Sequence, residues 1–269
     1  MSGADHIEMT RTEAERLLAW YAAAGVDVAV GEDGRDRFAE AAAPRQPPAG
    51  PSPGPAAPPV LSQAALAAPA EEAVIAAREA ARTAATLDAL HEILAGFDGC
   101  ALKATATRLV FADGNPQARL MLIGEAPGRD EDREGRPFVG RSGQLLDRML
   151  AAIGLDRTGA YIANVVPWRP PGNRTPTPAE SEICLPFIRR QIELADPDVL
   201  VFLGGSAAQQ LLRTSEGILR LRGRWRDFDT GKRTVRAIAT LHPAFLLRSP
   251  IQKRLAWRDF RAIARALGI

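Results

Sequence analysis

Residues 120–150 read LMLIGEAPGRDEDREGRPFVGRSGQLLDRML, an apolar run that breaks off into glycine, proline and acid before a helical pattern resumes. A strand that ends so abruptly constrains the fold. In open α/β sheets ligands bind beyond the carboxyl ends of the strands, where glycine lets the backbone approach closely and helix N-termini offer unpaired N–H groups. The loop sets one carboxylate, Glu125, between Gly124 and the rigid Pro127. The next glycine-bounded run, GRPFVGRSGQ, offers a single aromatic ring, Phe138.

Three later segments repeat this grammar: AYIANVV (160–166), PDVLVFLGG (197–205) and TVRAIATLHP (234–243), each short, apolar and rich in Val or Ile. The first carries Asn164 within its apolar run, the second enters GGSAAQQLL as a helix start, and the third delivers His242 followed by Pro243. Residues 143–153 and 177–194 show helical spacing, with Leu145, Leu146, Met149, Leu150 and Ile153 on one face. Strands alternating with helices predict βαβ crossovers, hence an α/β fold whose mostly parallel, four-stranded sheet is covered on both sides. Parallel strands bring Glu125, Asn164 and His242 to one edge.

The chain of 269 residues is not uniform. Residues 43–59, APRQPPAGPSPGPAAPP, offer too little apolar surface to offset the entropy of ordering. The expected organisation is an acidic amphipathic helix region over 1–42, a disordered linker over 43–69, and a domain over 70–269 that opens with one Ala-rich helix over 71–95. Leu17, Leu18 and Tyr21 are expected on the apolar face of the first segment, and Leu17, Leu18 and Trp20 are the residues expected to recruit a replication or repair protein. No run of about 18 apolar residues is present and no secretory signal is expected. Two cysteines do not make a disulfide framework, so a monomer in a reducing cytoplasm, associated with the nucleoid, is the expectation.

The net charge of +2 hides a polarity: residues 215–269 hold 13 Lys and Arg against 4 Asp and Glu. LRLRGRWRDF (219–228) and LLRSPIQKRLAWRDFRAIARAL (246–267) flank His242, which places a basic collar for a polyanion around the expected site. The loop after His242 is expected to expose Phe245, Leu246 and Leu247 beside Arg248, as do apolar wedges that unstack bases. The competing reading starts the core of the C-terminal helix at Leu246 and Leu247. For the acids Asp130, Glu131 and Asp132 the competing reading is a solvated patch at a helix start.

Taken together, GEAPGRDED, GRPFVGRSGQLLD, YIANVVPWRPPGNRTPTP, the Cys184–Pro–Phe segment and LHPAFLLRSP resemble, in order and spacing, the family 4 uracil-DNA glycosylases of bacteria and archaea. The resemblance spans about residues 97–267. It implies a three-layer α/β/α sandwich and hydrolysis of the N-glycosidic bond of deoxyuridine in DNA, which requires the nucleotide to be flipped into a pocket. It also implies roles. Phe138 stacks on the base, Asn164 reads its O4 and N3–H edge, and His242 donates to O2 as charge grows on the leaving group. Glu125 or the loop backbone orients water, and Glu131 lies near C5; Gly124 and Ala126 complete the base pocket. Leu246 fills the gap left by the base, with Arg248 and Ser142 on the DNA. A related glycosylase family carries an Asp where Ala126 stands.

The resemblance further implies a four-iron four-sulfur cluster held by four cysteines, of which only Cys100 and Cys184 are matched. Phe97 and Trp168 occupy the other two positions and cannot ligate iron. The expectation is therefore no metal and no cofactor, with the two rings filling the vacated volume and two reduced thiols close together. Two alternatives stand beside the glycosylase. One is a non-catalytic DNA-binding module derived from it; the other is a nucleotide or phosphoester hydrolase, against which no GxxxxGK[ST], GxGxxG or GxSxG occurs.

Overall fold

Successive residues of a strand face opposite sides of a sheet, and here both sides are apolar. In β2 (Leu120–Gly124), Leu120 and Leu122 join one core while Met121 and Ile123 join the other. The same division runs through β3 (Tyr161–Asn164), β4 (Val199–Leu203) and β6 (Thr234–Thr240). That double burial is what a parallel sheet between two helical layers requires. The computed structural model describes residues 63–269 together with Thr10, Thr12 and Glu15. The expectations for the rest of 1–42, and for 43–62, lie outside the described residues.

The sheet has six strands in the order β1-β3-β2-β4-β6-β5. Its four central strands are the predicted ones and run parallel; β1 (Asp113–Gly114) and β5 (Trp225–Asp229) close the two edges antiparallel. The expectation of four strands is thus corrected by two edge strands. β5 overlaps the end of the arginine-rich run 219–228, where its half-exposed alternation of charge hid it.

One face carries α1 (Gln63–Thr83), α2 (Leu87–Gly96), α6 (Pro178–Ala195) and α7 (Gly205–Leu212); the other carries α5 (Arg141–Ala151) and α10 (Lys253–Leu267). Short helical turns α3 (Leu102–Thr105), α4 (Arg129–Glu134), α8 (Ile218–Leu221) and α9 (Pro243–Arg248) occupy the connections. The single helix expected over 71–95 is two. Thr86 caps α2 by accepting from Ala89 N at 3.1 Å, and Arg190 takes the Ala84 carbonyl at the end of α1 at 2.6 and 3.0 Å. Helix α1 also begins at Gln63, inside the segment assigned to the linker.

A buried ion pair ties α10 to the strand that carries His242. Arg222 donates to both Asp259 oxygens, at 2.5 and 3.1 Å, and Thr240 donates to Asp259 Oδ2 at 2.7 Å. Asp259 is 2% exposed, and burial raises its pKa against the pull of Thr240 and Arg222. Removing one partner strands the other charge. Asp259→Ala is expected to lower stability by about 3–5 kcal/mol, read from the midpoint of a urea titration with unchanged slope.

Candidate active site

The carboxyl ends of β2, β3, β4 and β6 open onto one cleft of about 490 Å³. Gly124 at the end of β2 is in register with Asn164 at the end of β3, so the loop after one strand faces the amide of the other. A Cβ on Gly124 would lie 2.4 Å from Asn164 Oδ1 and 2.7 Å from Phe138 Cζ. Only glycine permits that approach.

Phe138 sits in the left-handed region at φ 55°, a conformation that costs a non-glycine residue about 1–2 kcal/mol. Its neighbours hold it there. Arg157 donates to the Phe138 carbonyl, to the Pro137 carbonyl at 3.2 Å, and to Asp113 and Asp147 at 2.5 and 2.8 Å. From the other side, Glu131 Oε1 accepts from Val139 N and Gly140 N, both at 3.0 Å, while its Oε2 accepts from Gly128 N at 3.1 Å. The Phe138 ring lies 5.5 Å from the His242 ring, tilted by 31°.

Of the acids Asp130, Glu131 and Asp132 at the start of α4, only Asp130 is solvated. Glu131 and Asp132 are buried, and Asp132 accepts from Thr107 N, Thr107 Oγ1 and Arg108 N at 2.7–3.2 Å. Glu131 lines the cleft, yet both of its oxygens are engaged by backbone N–H groups. Its contribution here is to fix the loops 128–131 and 138–140.

Two acceptors in the cleft have no partner among the described residues: Glu125 Oε1 and Asn164 Oδ1. A buried polar atom left unpaired costs about 1–3 kcal/mol, so both are poised for a ligand. Burial raises the Glu125 pKa above its ordinary 4.5, opposed by a hydrogen bond from Ser206. Ser206 in turn accepts from Gln210 Nε2 at 3.0 Å. Residue patterns gave no role to Ser206 or Arg157. The serine's signal was its place in the first turn of α7, directly after Gly204 and Gly205; the arginine carried none, because its partners lie far off in sequence.

His242 caps α9, with Ala244 N donating to its Nδ1 at 3.1 Å. A nitrogen that accepts carries no proton, so the neutral ring bears its proton on Nε2. Burial, aided by the nearby Arg248 cation, lowers the His242 pKa from 6.5 to about 4, and the ring is neutral at pH 7.

The predicted residues Gly124, Glu125, Ala126, Glu131, Phe138, Ser142, Asn164, His242 and Arg248 lie at or on this cleft. Leu246 does not. It is 1% exposed and packs with Leu241 and Ala256, because α9 begins at Pro243 and its helical turn points that residue inward. Leu247 is the exposed neighbour, and Phe245 and Arg248 face the cleft. The basic collar is also thinner than its composition suggests, since Arg222 pairs with Asp259, Arg226 with Glu216, and Arg236 lies over the Trp225 ring.

Behind the cleft, Cys100 and Cys184 are buried with their Sγ atoms 3.9 Å apart. Trp168 is 2% exposed in the same core, and Phe97 meets Phe187 edge-on at 5.0 Å. The hydrogen bond with Cys100 and burial push the Cys184 thiol well above its ordinary pKa. Two thiols and two aromatic rings do not fit a four-iron cluster, whose irons take thiolate ligands.

The sequence profile of the uracil DNA glycosylase superfamily matches residues 111–261. A type-4 uracil-DNA glycosylase of Archaeoglobus fulgidus is 42% identical over 173 residues, 63% of this chain and 87% of its own length. One from Thermotoga maritima is 44% identical over 151 residues, 56% and 77% respectively. A type-5 uracil-DNA glycosylase of Thermus thermophilus is 36% identical over 115 residues, 37% of this chain and 52% of its own. With the profile covering the cleft and all four central strands, the chain belongs to the type-4 uracil-DNA glycosylase family.

Proposed function

We infer that this protein is a DNA-repair glycosylase that releases uracil from DNA and leaves an abasic site. The observation that carries the reading is the convergence of the Phe138 ring, the Asn164 amide, the Glu125 carboxyl and a neutral His242 on one cleft. An everted uracil stacks on Phe138. Asn164 Oδ1, unpaired among the described residues, accepts from uracil N3–H, and its amide NH₂ donates to O4. Cytosine presents the opposite pattern at those two positions.

The reaction breaks the C1′–N1 bond, and the bonding electrons leave with the base. His242 Nε2–H donates to O2 as that oxygen gains charge, and a neutral imidazole does so without first losing a proton. The sugar carbon, left electron-deficient, takes the oxygen of a water molecule, and Glu125 accepts the proton released. Desolvation makes Glu125 a better base than an exposed carboxylate, while Ser206 fixes its orientation. Glu131 and Arg157 act on the chemistry only through the loop that presents Phe138. The N-termini of α5 and α7 border the cleft through Ser142, Gly205 and Ser206 and favour the negative charge of phosphate or departing base.

No step needs a metal cluster, and we further propose that the protein carries none. The pairing of Phe97 with Phe187 and the burial of Trp168 support that reading. The purified protein is then expected to lack both stoichiometric iron and absorbance in the sulfur-to-iron charge-transfer region; iron near four atoms per chain refutes the proposal.

His242→Ala is expected to slow uracil release by about 10²–10³-fold, as the loss of one oxyanion donor does. In a single-turnover pH profile the wild-type rate falls as pH drops through a carboxyl pKa above 4.5, because only ionised Glu125 accepts the proton. Ser206→Ala removes the opposing hydrogen bond and moves that limb further up; Glu125→Gln abolishes it along with most of the rate. Release of uracil by Glu125→Gln at the wild-type rate refutes the assignment of the base. Strand binding without base release by the wild-type protein favours the non-catalytic module instead.

A further inference from the structure

Helix α9 separates two depressions. Its Ala244, Phe245 and Arg248 face the uracil cleft, while Leu246, on the opposite side, floors a second groove of about 200 Å³ between α5 and α10. The floor is apolar, built from Met149, Leu246, Ala256 and Phe260, and the Trp257 indole stands at its edge, 44% exposed. Leu247 and Ile251, in the stretch of chain just before α10, are also exposed.

Charge selects the occupant. Helices α5, α9 and α10 carry eight basic residues, among them Arg148 and Lys253 on the groove's rim and the exposed Arg254 and Arg258. Their only acids are Asp147, paired with Arg157, and Asp259, buried against Arg222. None of Arg148, Lys253, Arg254 and Arg258 has an ion-pair partner among the described residues. A rim of unneutralised cations next to a DNA cleft fits a polyanion, and an apolar slot with an exposed indole fits the face of a base. Duplex DNA hides base faces, whereas a single strand offers them.

We propose that this groove is a second nucleic-acid site, in which a base of the single strand adjoining the everted nucleotide stacks on Trp257 while its phosphates lie along Arg148, Lys253 and Arg254. The site does no chemistry. It extends the hold on DNA past α9 and favours single-stranded or locally opened substrate. The inference rests on the reading that uracil-containing DNA occupies the neighbouring cleft, and it deepens that reading by naming the strand form.

The test uses the full chain and a uracil-free oligodeoxythymidylate, so that base release plays no part in the readout. Trp257→Ala is expected to weaken binding about tenfold by fluorescence anisotropy, within the range of one lost base–aromatic stack, and Trp257→Phe to restore most of it. Arg148→Gln combined with Lys253→Gln is expected to flatten the salt dependence by about 0.7 in slope for each charge removed. Wild-type tryptophan emission is quenched by the strand, and the quenching disappears in Trp257→Phe. Uracil release at saturating substrate stays at the wild-type rate in these variants. Unchanged affinity in Trp257→Ala overturns the proposal, as does a loss confined to the charge variants, which marks the groove as a surface for a protein partner beside a purely electrostatic DNA path. A failed glycosylase reading shows itself separately, as absence of uracil release in the wild type.

Discussion

One buried carboxylate holds the catalytic loops in shape. Glu131 receives three backbone N–H groups from two stretches of chain that have little else to satisfy them, and so joins the end of the GEAPG turn to the glycine-bounded loop that follows. Arg157 grips the same loop from its far side through two carbonyls. Between these anchors Phe138 is kept in a backbone conformation it would not otherwise choose, with its ring beside His242 and its edge against Gly124. The geometry of the cleft around Phe138 is therefore set by Glu131 and Arg157 rather than by Phe138 itself.

Desolvation works in two directions within the cleft. It makes the Glu125 carboxyl harder to ionise and the His242 ring harder to protonate. The first change yields a stronger proton acceptor and the second a donor that stays uncharged at neutral pH. Burial is the larger cause of both shifts, opposed at Glu125 by Ser206 and aided at His242 by the Arg248 cation. Helix α9 fixes the remaining variable, the tautomer, with the single N–H of Ala244.

Much of this was written in local pattern. Four apolar runs followed by glycine, amide or histidine announced the parallel strands and put Glu125, Asn164 and His242 at one edge, because strand period and chain direction are local properties. The edge strands were not legible: β1 is two residues long, and β5 faces water with alternate side chains that read as part of a basic run. Leu246 looked exposed beside Arg248, yet the start of α9 at Pro243 determines which way it points, and that phase is set by packing against Leu241 and Ala256. Arg157 and Ser206 escaped notice for a similar reason, since their partners are brought together only by the fold. Burial of Glu131 and Asp132, but not Asp130, likewise depends on which side of α4 meets the body of the protein.

Phe97, Trp168 and Phe187 lie in the apolar core that the N-terminal helices share with α6. A joint made of hydrocarbon forms as the polypeptide collapses. The strength of that seam therefore scales with the ring surface it removes from water.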